Sequence, residues 1–434
     1  MEKVLIITYY WPPAGGPGVQ RWLKFVKYLR DFNIEPVVYI PENPNYPMLD
    51  NSLENEIPEG ITILKKPIFE PYQLAGFFAK NQTKTISKGI IAAEKNQSFL
   101  QKSLLFIRGN LFIPDARKFW IKPSVTFLKT YLKEEGIKKI ITTGPPHSLH
   151  LIGLKLKQEL DLKWIADFRD PWTQIGYHKK LKLTESSKKK HLRLEREVLN
   201  AADQIITTSY TTKTEFAEKT NKPIGIITNG FDTEENEANT NELDTKFSIS
   251  HIGSLLSERN PENLWTAIAE LTIENLNFSE DLELKLAGTV SEEIITSIKS
   301  VGLGEKLQLL GYVSHTQAIA LQQKSRLVLL IEINSEETRG IIPGKLFEYL
   351  SSKRPILAIG PEKWDVQQIL QQTRSGEYFQ YSEKDRLKSL ILKHYDAYKK
   401  GNGNFINGDI QQYHRRNLTQ NLASLIKEPI ELWE

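Results

Sequence analysis

The sequence predicts an α/β protein made of two doubly wound, Rossmann-like domains. Three observations predict it. Short, almost wholly apolar runs recur along the chain with amphipathic helical patterns between them, as expected for strands buried on both faces and joined by helices. A polar stretch from Asp232 to Lys246 interrupts this alternation near the middle, and the alternation then restarts. The chain has 434 residues, 40% of them hydrophobic, enough for two buried cores.

In the first half the strand candidates are Lys3–Thr8, Pro36–Ile40, Lys138–Thr142, Lys163–Ala166, Gln204–Thr207 and Gly225–Thr228. Between the first two, Trp22, Phe25, Val26 and Leu29 fall on one helical face. The stretch from Asp232 to Lys246 reads as a linker or long exposed loop. After it come Phe247–His251, Glu283–Ala287, Lys306–Leu310, Leu327–Ile331 and Pro355–Ile359, with helical stretches such as Pro261–Leu271 and Ser314–Gln323. The domains are therefore placed at 1–231 and 246–409, with a helical segment at 410–434. Residues 73–130 fit a βαβ unit poorly and read as a helical insertion capping the first domain. A second reading of that region is an acceptor or membrane surface. Phe77, Phe78, Ile90, Ile91, Leu104, Leu105 and Phe106 are interleaved there with lysines.

Composition removes several function classes. A net charge of +4 sets up no field that demands nucleic acid. The absence of cysteine excludes disulfides, thiolate metal sites and cysteine nucleophiles. The run Val4-Leu5-Ile6-Ile7 is too short for a secretory signal, and no stretch approaches the ~20 apolar residues of a membrane span. The expectation is a cytoplasmic protein, with membrane contact at most peripheral, at the inner face. The basic cluster from Lys188 to Arg193 is flanked by Glu185, Glu195 and Glu197, as on a solvated helix. It can also meet anionic lipid head groups.

Five segments can carry chemistry. The loop Pro12-Pro13-Ala14-Gly15-Gly16-Pro17-Gly18 joins a strand to a helix at the sheet edge where ligands bind in open α/β folds. It lacks the ending of a P-loop, and a tight turn would explain it equally. His147 lies in Thr142-Thr143-Gly144-Pro145-Pro146-His147-Ser148, again after a strand and before a helix, where it can bond a sugar hydroxyl or cap the helix. The segment Ala166 to Trp172 holds Asp167, Arg169, Asp170 and Trp172: either a structural ion pair, or a polar acceptor site with Trp172 as its aromatic wall.

The strongest segment is Gly340 to Leu350. Pro343 and Gly344 open a helix whose first turn attracts phosphate, Lys345 adds a point charge, and Glu348 lies one turn further in. From there a carboxylate can accept hydrogen bonds from a ribose diol. No Ser, Thr or Asp cap precedes it, so a capping box does not account for it. The fifth segment, His251 to Pro261, places Gly253 after a strand and Arg259 before a helix, suited to a diphosphate or simply solvated.

In order and spacing these segments resemble the retaining glycosyltransferases of family 4, whose fold is GT-B, which implies two such domains facing each other across a cleft. The resemblance covers nearly the whole chain. It is carried by Gly15-Gly16, Asn229-Gly230-Phe231-Asp232, Gly253 to Pro261 and Lys345-x-x-Glu348-Tyr349. Phe112-Ile113-Pro114-Asp115-Ala116-Arg117 and Asp167 to Trp172 look like features of a bacterial subgroup acting on surface polysaccharides. The resemblance implies a hexosyl transfer from a nucleoside diphosphate sugar, uridine-linked, to a glycan or lipid-linked glycan. The acceptor would be held by the first domain and the donor by the second, and the C-terminal helix would cross back to the first. It implies that Glu348 binds the ribose, that Arg259 binds the diphosphate, that Lys345 is a further phosphate or sugar contact, and that Gly16, with Gly15, meets the phosphate. Gly253 and Gly344 would allow its close approach, and His147 would touch the donor sugar.

Arg259, Lys345 and the helix N-terminus would stabilise the leaving group's charge. No Asp-x-Asp motif sits at a strand end, so no metal or other cofactor is expected. Two positions depart from the family pattern. The first glutamate of its pair should lie eight residues before Glu348, where Gly340 stands, and the basic residue after the domain's glycine is Ser254. Glu336, Glu337 or Arg339 could compensate. These departures keep two alternatives open: a nucleotide-sugar epimerase, and a non-catalytic nucleotide-sugar-binding relative.

Overall fold

The computed structural model describes residues 1–71, 99–174, 181–232, 242–401 and 408–428. The chain divides into two units, Met1–Thr228 with Arg415–Glu434, and Asn229–His414. The sequence reading of 77, 78, 90 and 91 as a surface, and most of the stretch read as a linker, lie outside the described residues.

The first unit is built on a seven-stranded parallel sheet in the order β3-β2-β1-β4-β5-β6-β7. Its strands are β1 (Glu2–Ile7), β2 (Ile34–Pro41), β3 (Thr62–Lys66), β4 (Lys139–Gly144), β5 (Lys163–Phe168), β6 (Gln204–Thr207) and β7 (Ile224–Ile226). Its helices are α1 (Pro17–Leu29), α2 (Phe99–Leu111), α3 (Ile121–Glu134), α4 (Ser148–Glu159), α5 (Glu185–Ala201) and α6 (Tyr210–Ala217). Successive residues of β1 point to opposite faces. Leu5 and Ile7 enter one core with Trp120, Leu128, Ile152 and Trp164. Val4 and Ile6 enter another with Trp22, Val26 and Ile206. The C-terminal helix Arg415–Lys427 joins that second core through Leu418, Leu422, Leu425 and Ile426.

The second unit repeats the plan with six parallel strands in the order β10-β9-β8-β11-β12-β13. They are β8 (Phe247–Ile252), β9 (Leu282–Ala287), β10 (Leu307–Gly311), β11 (Leu327–Ile331), β12 (Ile356–Gly360) and β13 (Gly376–Gln380). Its helices are α7 (Glu262–Glu274), α8 (Leu276–Asp281), α9 (Glu292–Ser300), α10 (His315–Lys324), α11 (Lys345–Ser352), α12 (Asp365–Thr373) and α13 (Lys384–Lys399). In each sheet the order reverses beside the first strand, between β1 and β4 and between β8 and β11. The crevices outside those strand ends are where such sheets bind ligands.

Two strands are absent from the sequence reading, β3 and β13. Both are sheet edges. An edge strand shows one side to water, so Thr-Ile-Leu-Lys-Lys and Gly-Glu-Tyr-Phe-Gln carry no continuous apolar run. The insertion read at 73–130 also ends earlier than expected. Helix α3 buries Ile121, Val125, Leu128 and Leu132 in the sheet's own core, so it is an ordinary crossover helix.

Candidate functional site

In the second unit Gly253 follows β8 with φ at +116°, a left-handed value that favours glycine. A Cβ there would stand 3.1 Å from the Lys345 ammonium, so the lysine lies directly against this turn. Lys345 is the first residue of α11, after Gly344. Its Nζ donates to Nε2 of His251 at 3.2 Å, while Nδ1 of His251 bonds the Leu329 carbonyl at 3.1 Å. A carbonyl only accepts, so Nδ1 carries the proton and Nε2 offers its lone pair to the lysine. Burial, and after it the Lys345 charge, hold the imidazole well below its ordinary pKa. His251 is therefore a neutral acceptor. The expected ¹⁵N signature is an unprotonated Nε2 and a protonated Nδ1 throughout pH 5.5 to 8 (about the span in which an ordinary histidine titrates). A protonation step within that span would refute the assignment.

Arg259 stands beside this lysine and has a different partner. Its Nε and Nη2 donate to Oε1 of Glu332 at 3.0 and 2.8 Å. Glu332 immediately follows β11, and its side chain is almost fully buried. Tyr381 donates its hydroxyl to the Glu332 carbonyl at 2.8 Å. Burial and then the Arg259 charge bring the Lys345 ammonium down to about 8, while Glu332 and Glu348 act the other way. Among the described residues Lys345 makes no ion pair. The result is a cation at a helix N-terminus, against a glycine turn, whose charge no carboxylate neutralises by contact. Such a place is suited to an anionic ligand.

Glu348 lies one turn into α11, and its Oε2 accepts from Gln322 of α10 at 2.9 Å. Gln322 is buried and so orients the carboxylate. Tyr349, the next residue, points inward; its hydroxyl accepts from the Ile252 backbone N–H at 3.1 Å and ties α11 to the end of β8. Gly340 lies in the loop before α11. Of the residues that could compensate for it, Arg339 bonds the Glu362 carbonyl and Glu336 at 2.9 and 3.1 Å. Glu336 and Glu337 are both exposed. The structure thus gathers Gly253, Arg259, Gly344, Lys345 and Glu348 at one edge of the second sheet. His251, Gln322 and Glu332 were missed as site residues. A buried polar side chain at a strand end, as His251 and Glu332 are, was the signal that could have found them.

The first unit brings its own expected residues together. Gly15 and Gly16 follow β1, His147 follows β4, and Arg169, Asp170 and Trp172 follow β5. The Gly15 N–H bonds the Met48 carbonyl at 3.0 Å, and Gly16 flanks the start of α1 with φ at +101°. Arg169 donates to the carbonyls of Gly144 and Pro145 and lies against Gly18, in the space a Cβ at that position would need. It thereby fastens the turns after β1, β4 and β5 to one another. Burial pushes the Asp170 carboxyl above its ordinary pKa, and the Arg169 charge opposes this.

Asp167 is a packing residue. It accepts from Arg21 Nη2, Trp22 Nε1 and Thr143 Oγ1 at 2.9, 2.9 and 2.8 Å, wholly buried. His147 does not cap α4 with its side chain. Asp115 does so instead, accepting from the Ser148 N–H at 2.9 Å. Trp172, expected as the aromatic wall of an acceptor site, is buried. Its ring stacks on His147 at 4.8 Å, and its Nε1 donates to His191 at 3.1 Å. The hydrophobic payload of the indole is better satisfied inside, so Trp172 orients His147 from behind.

Two Rossmann-like domains with these strand orders form the GT-B fold. Residues 232–362, within the second unit, match the family described as Glycosyl transferases group 1. Among solved structures the chain is similar to HepE from Anabaena in complex with UDP-glucose, at 13% identity and a TM-score of 0.55, with 99% of this chain and 96% of that one covered. It is similar to the lipopolysaccharide outer core galactosyltransferase WaaB, at 12% identity and 0.58, over 98% and 99%. It is also similar to a putative UDP-N-acetylglucosamine 2-epimerase from Listeria monocytogenes, at 12% and 0.54, over 98% and 95%. At these identities the likeness is one of fold. No curated protein matches the chain in sequence.

Proposed function

We propose that the protein is a nucleotide-sugar-dependent glycosyltransferase. It moves a hexosyl group from a nucleoside diphosphate sugar, uridine-linked, to a glycan or lipid-linked glycan, with retention of configuration. It acts at the cytoplasmic side in the synthesis of cell-surface polysaccharide. The observation that carries the reading is the Lys345 ammonium, set at the N-terminus of α11 against Gly253 and held by a neutral histidine. The group 1 match over the same unit and the donor-bound neighbour support the class.

In this reading Lys345 and Arg259 bind the diphosphate, and Glu348 accepts hydrogen bonds from the ribose hydroxyls. Cleavage of the bond between the anomeric carbon and the phosphate oxygen leaves charge on the diphosphate. Lys345, Arg259 and the helix N-terminus stabilise that charge where it develops. Gly15, Gly16 and His147 serve the donor from the first unit, and Arg169 and Asp170 the acceptor. Transfer needs no divalent metal, so it continues unchanged in chelator.

The test is calorimetric titration with uridine, guanosine and adenosine diphosphates, without metal, of the wild type and Glu348→Ala. One nucleotide is expected to bind, with about a tenfold or greater loss in the variant, since the carboxylate's hydrogen bonds are charge-assisted. Binding of none would remove the reading. Gly340, in place of the first glutamate of the pair, favours one other reading, a nucleotide-sugar binder without turnover. Selective binding with no transfer to any acceptor extract would select it.

A further inference from the structure

The first unit carries an aromatic cluster on its surface. The rings of Phe69 and Phe112 lie 5.6 and 6.2 Å from that of Phe119. Phe69 is 53% exposed, Phe119 42% and the neighbouring Leu111 61%. Scattered exposed apolar side chains are ordinary, but contiguous ones mark a contact surface. Lys118 lies over the rings of both Phe112 and Phe119, at 5.4 and 5.2 Å.

The same patch meets the basic face of α5. The Thr184 N–H, at the start of α5, bonds Asn110 Oδ1 at 2.8 Å, joining this helix to the end of α2. Lys190 comes near enough that its charge, after burial, lowers the pKa of Lys118. Two of the basic residues in this stretch are neutralised within α5, Lys188 by Glu185 and Arg193 by Glu197. The third flanking acid, Glu195, is buried and bound to Lys219 instead. Lys189 and Lys190 are exposed and make no ion pair among the described residues. Two like charges, Lys118 and Lys190, are thus brought together beside exposed rings, with Lys189 next along the same helix. Their repulsion is unfavourable in the isolated chain and their charge is complementary to a negative surface.

We propose that this face docks on an anionic lipid bilayer. Phe69, Leu111 and Phe119 enter the head-group region, and Lys118, Lys189 and Lys190 meet the lipid phosphates. The contact is interfacial; no helix among the described residues is long and apolar enough to cross a membrane. It is independent of the donor chemistry, and a lipid-linked acceptor would be met at such a surface.

The experiment is co-sedimentation of the full chain with phosphatidylcholine vesicles, with and without phosphatidylglycerol. Binding is expected only with phosphatidylglycerol, falling as salt rises. Each lysine near an anionic surface contributes roughly fivefold. Lys189→Glu with Lys190→Glu is therefore expected to lower binding by at least about 25-fold. Phe119→Ser is expected to lower it under all salt conditions. Unchanged far-UV circular dichroism and thermal midpoint would show both variants folded, so the readout is separate from nucleotide binding. Wild type that ignores phosphatidylglycerol vesicles at low salt would overturn the proposal, as would full binding by the double variant. Self-association abolished by Phe119→Ser, without vesicle binding, would assign the face to a second copy of this chain.

Discussion

Lys345→Met is expected to make the ligand-free protein more stable and, at the same time, to weaken nucleoside diphosphate binding by about 10- to 100-fold, the range for hydrogen bonds to a charged group. Both effects come from one arrangement. The ammonium is half-buried, bonded to a neutral imidazole and close to a second cation, Arg259. Such a charge costs folding free energy until an anion arrives. Methionine keeps the length and apolar stem of the side chain and removes the charge, so the gain in stability is on the order of 1 kcal/mol.

The pH dependence gives the sign independently. The folded lysine titrates at about 8 and the unfolded one near 10.5. Below the lower value both states hold the proton and the full penalty applies. Between the two, the unfolded chain holds more protons, so this group's contribution to stability rises with pH. Urea midpoints of wild type and variant at pH 7 and pH 10 measure that difference: the wild type gains on the variant as pH rises. Nucleotide affinity runs the opposite way in the wild type, weakening as the free lysine loses its proton. A variant that is less stable at pH 7 and binds nucleotide normally would show that Lys345 is structural.

The second large effect falls on the first unit. Asp167→Ala is expected to cost about 3–5 kcal/mol, the range for breaking a buried ion pair by removing one partner. The Arg21 and Asp167 side chains are only 2% and 0% exposed. Removal would strand the Arg21 guanidinium, the Trp22 indole N–H and the Thr143 hydroxyl together. Against a total stability of roughly 5–15 kcal/mol this is severe, and urea unfolding followed by tryptophan fluorescence would measure it. Burial alone would raise the Asp167 pKa, but the Arg21 charge and the hydrogen bonds from Arg21 and Thr143 outweigh it and hold the carboxyl below its ordinary 3.8. The carboxylate's contribution is therefore complete above that value and lost as pH falls below it. A loss under about 1 kcal/mol, as for an exposed pair, would mean that water reaches Arg21.

Most strands legible in the sequence have a pattern set by burial on both faces; the edge strands β7 and β10 were legible too, because Ile-Gly-Ile and Leu-Gln-Leu-Leu keep an apolar run. Val4 to Ile7 and Leu327 to Ile331 are continuous apolar runs because each lies inside its sheet, with helices above and below. Thr62–Lys66 and Gly376–Gln380 were not legible, because these two edge strands mix polar and charged residues with apolar ones and are specified by their neighbours' hydrogen bonds more than by their own composition. The candidate residues were legible where a glycine or proline punctuates a strand end: Gly15-Gly16, Gly253 and Pro343-Gly344-Lys345.

What the sequence by itself determined was the alternation of buried strands and amphipathic helices, and the set of turns that could face a ligand. Hydrophobic period and backbone freedom are local properties, written residue by residue. Which side chain holds which was decided only by the tertiary structure. His251 and Lys345 are 94 residues apart, and Arg259 and Glu332 are 73 apart. Asp167 lies 146 residues from Arg21. Parallel crossovers bring such distant strand ends to one edge, and charge compensation, tautomer and burial are properties of that edge. So the sequence could nominate Lys345 as a cation, but only the fold gave it a neutral partner, and Trp172 its place beneath His147.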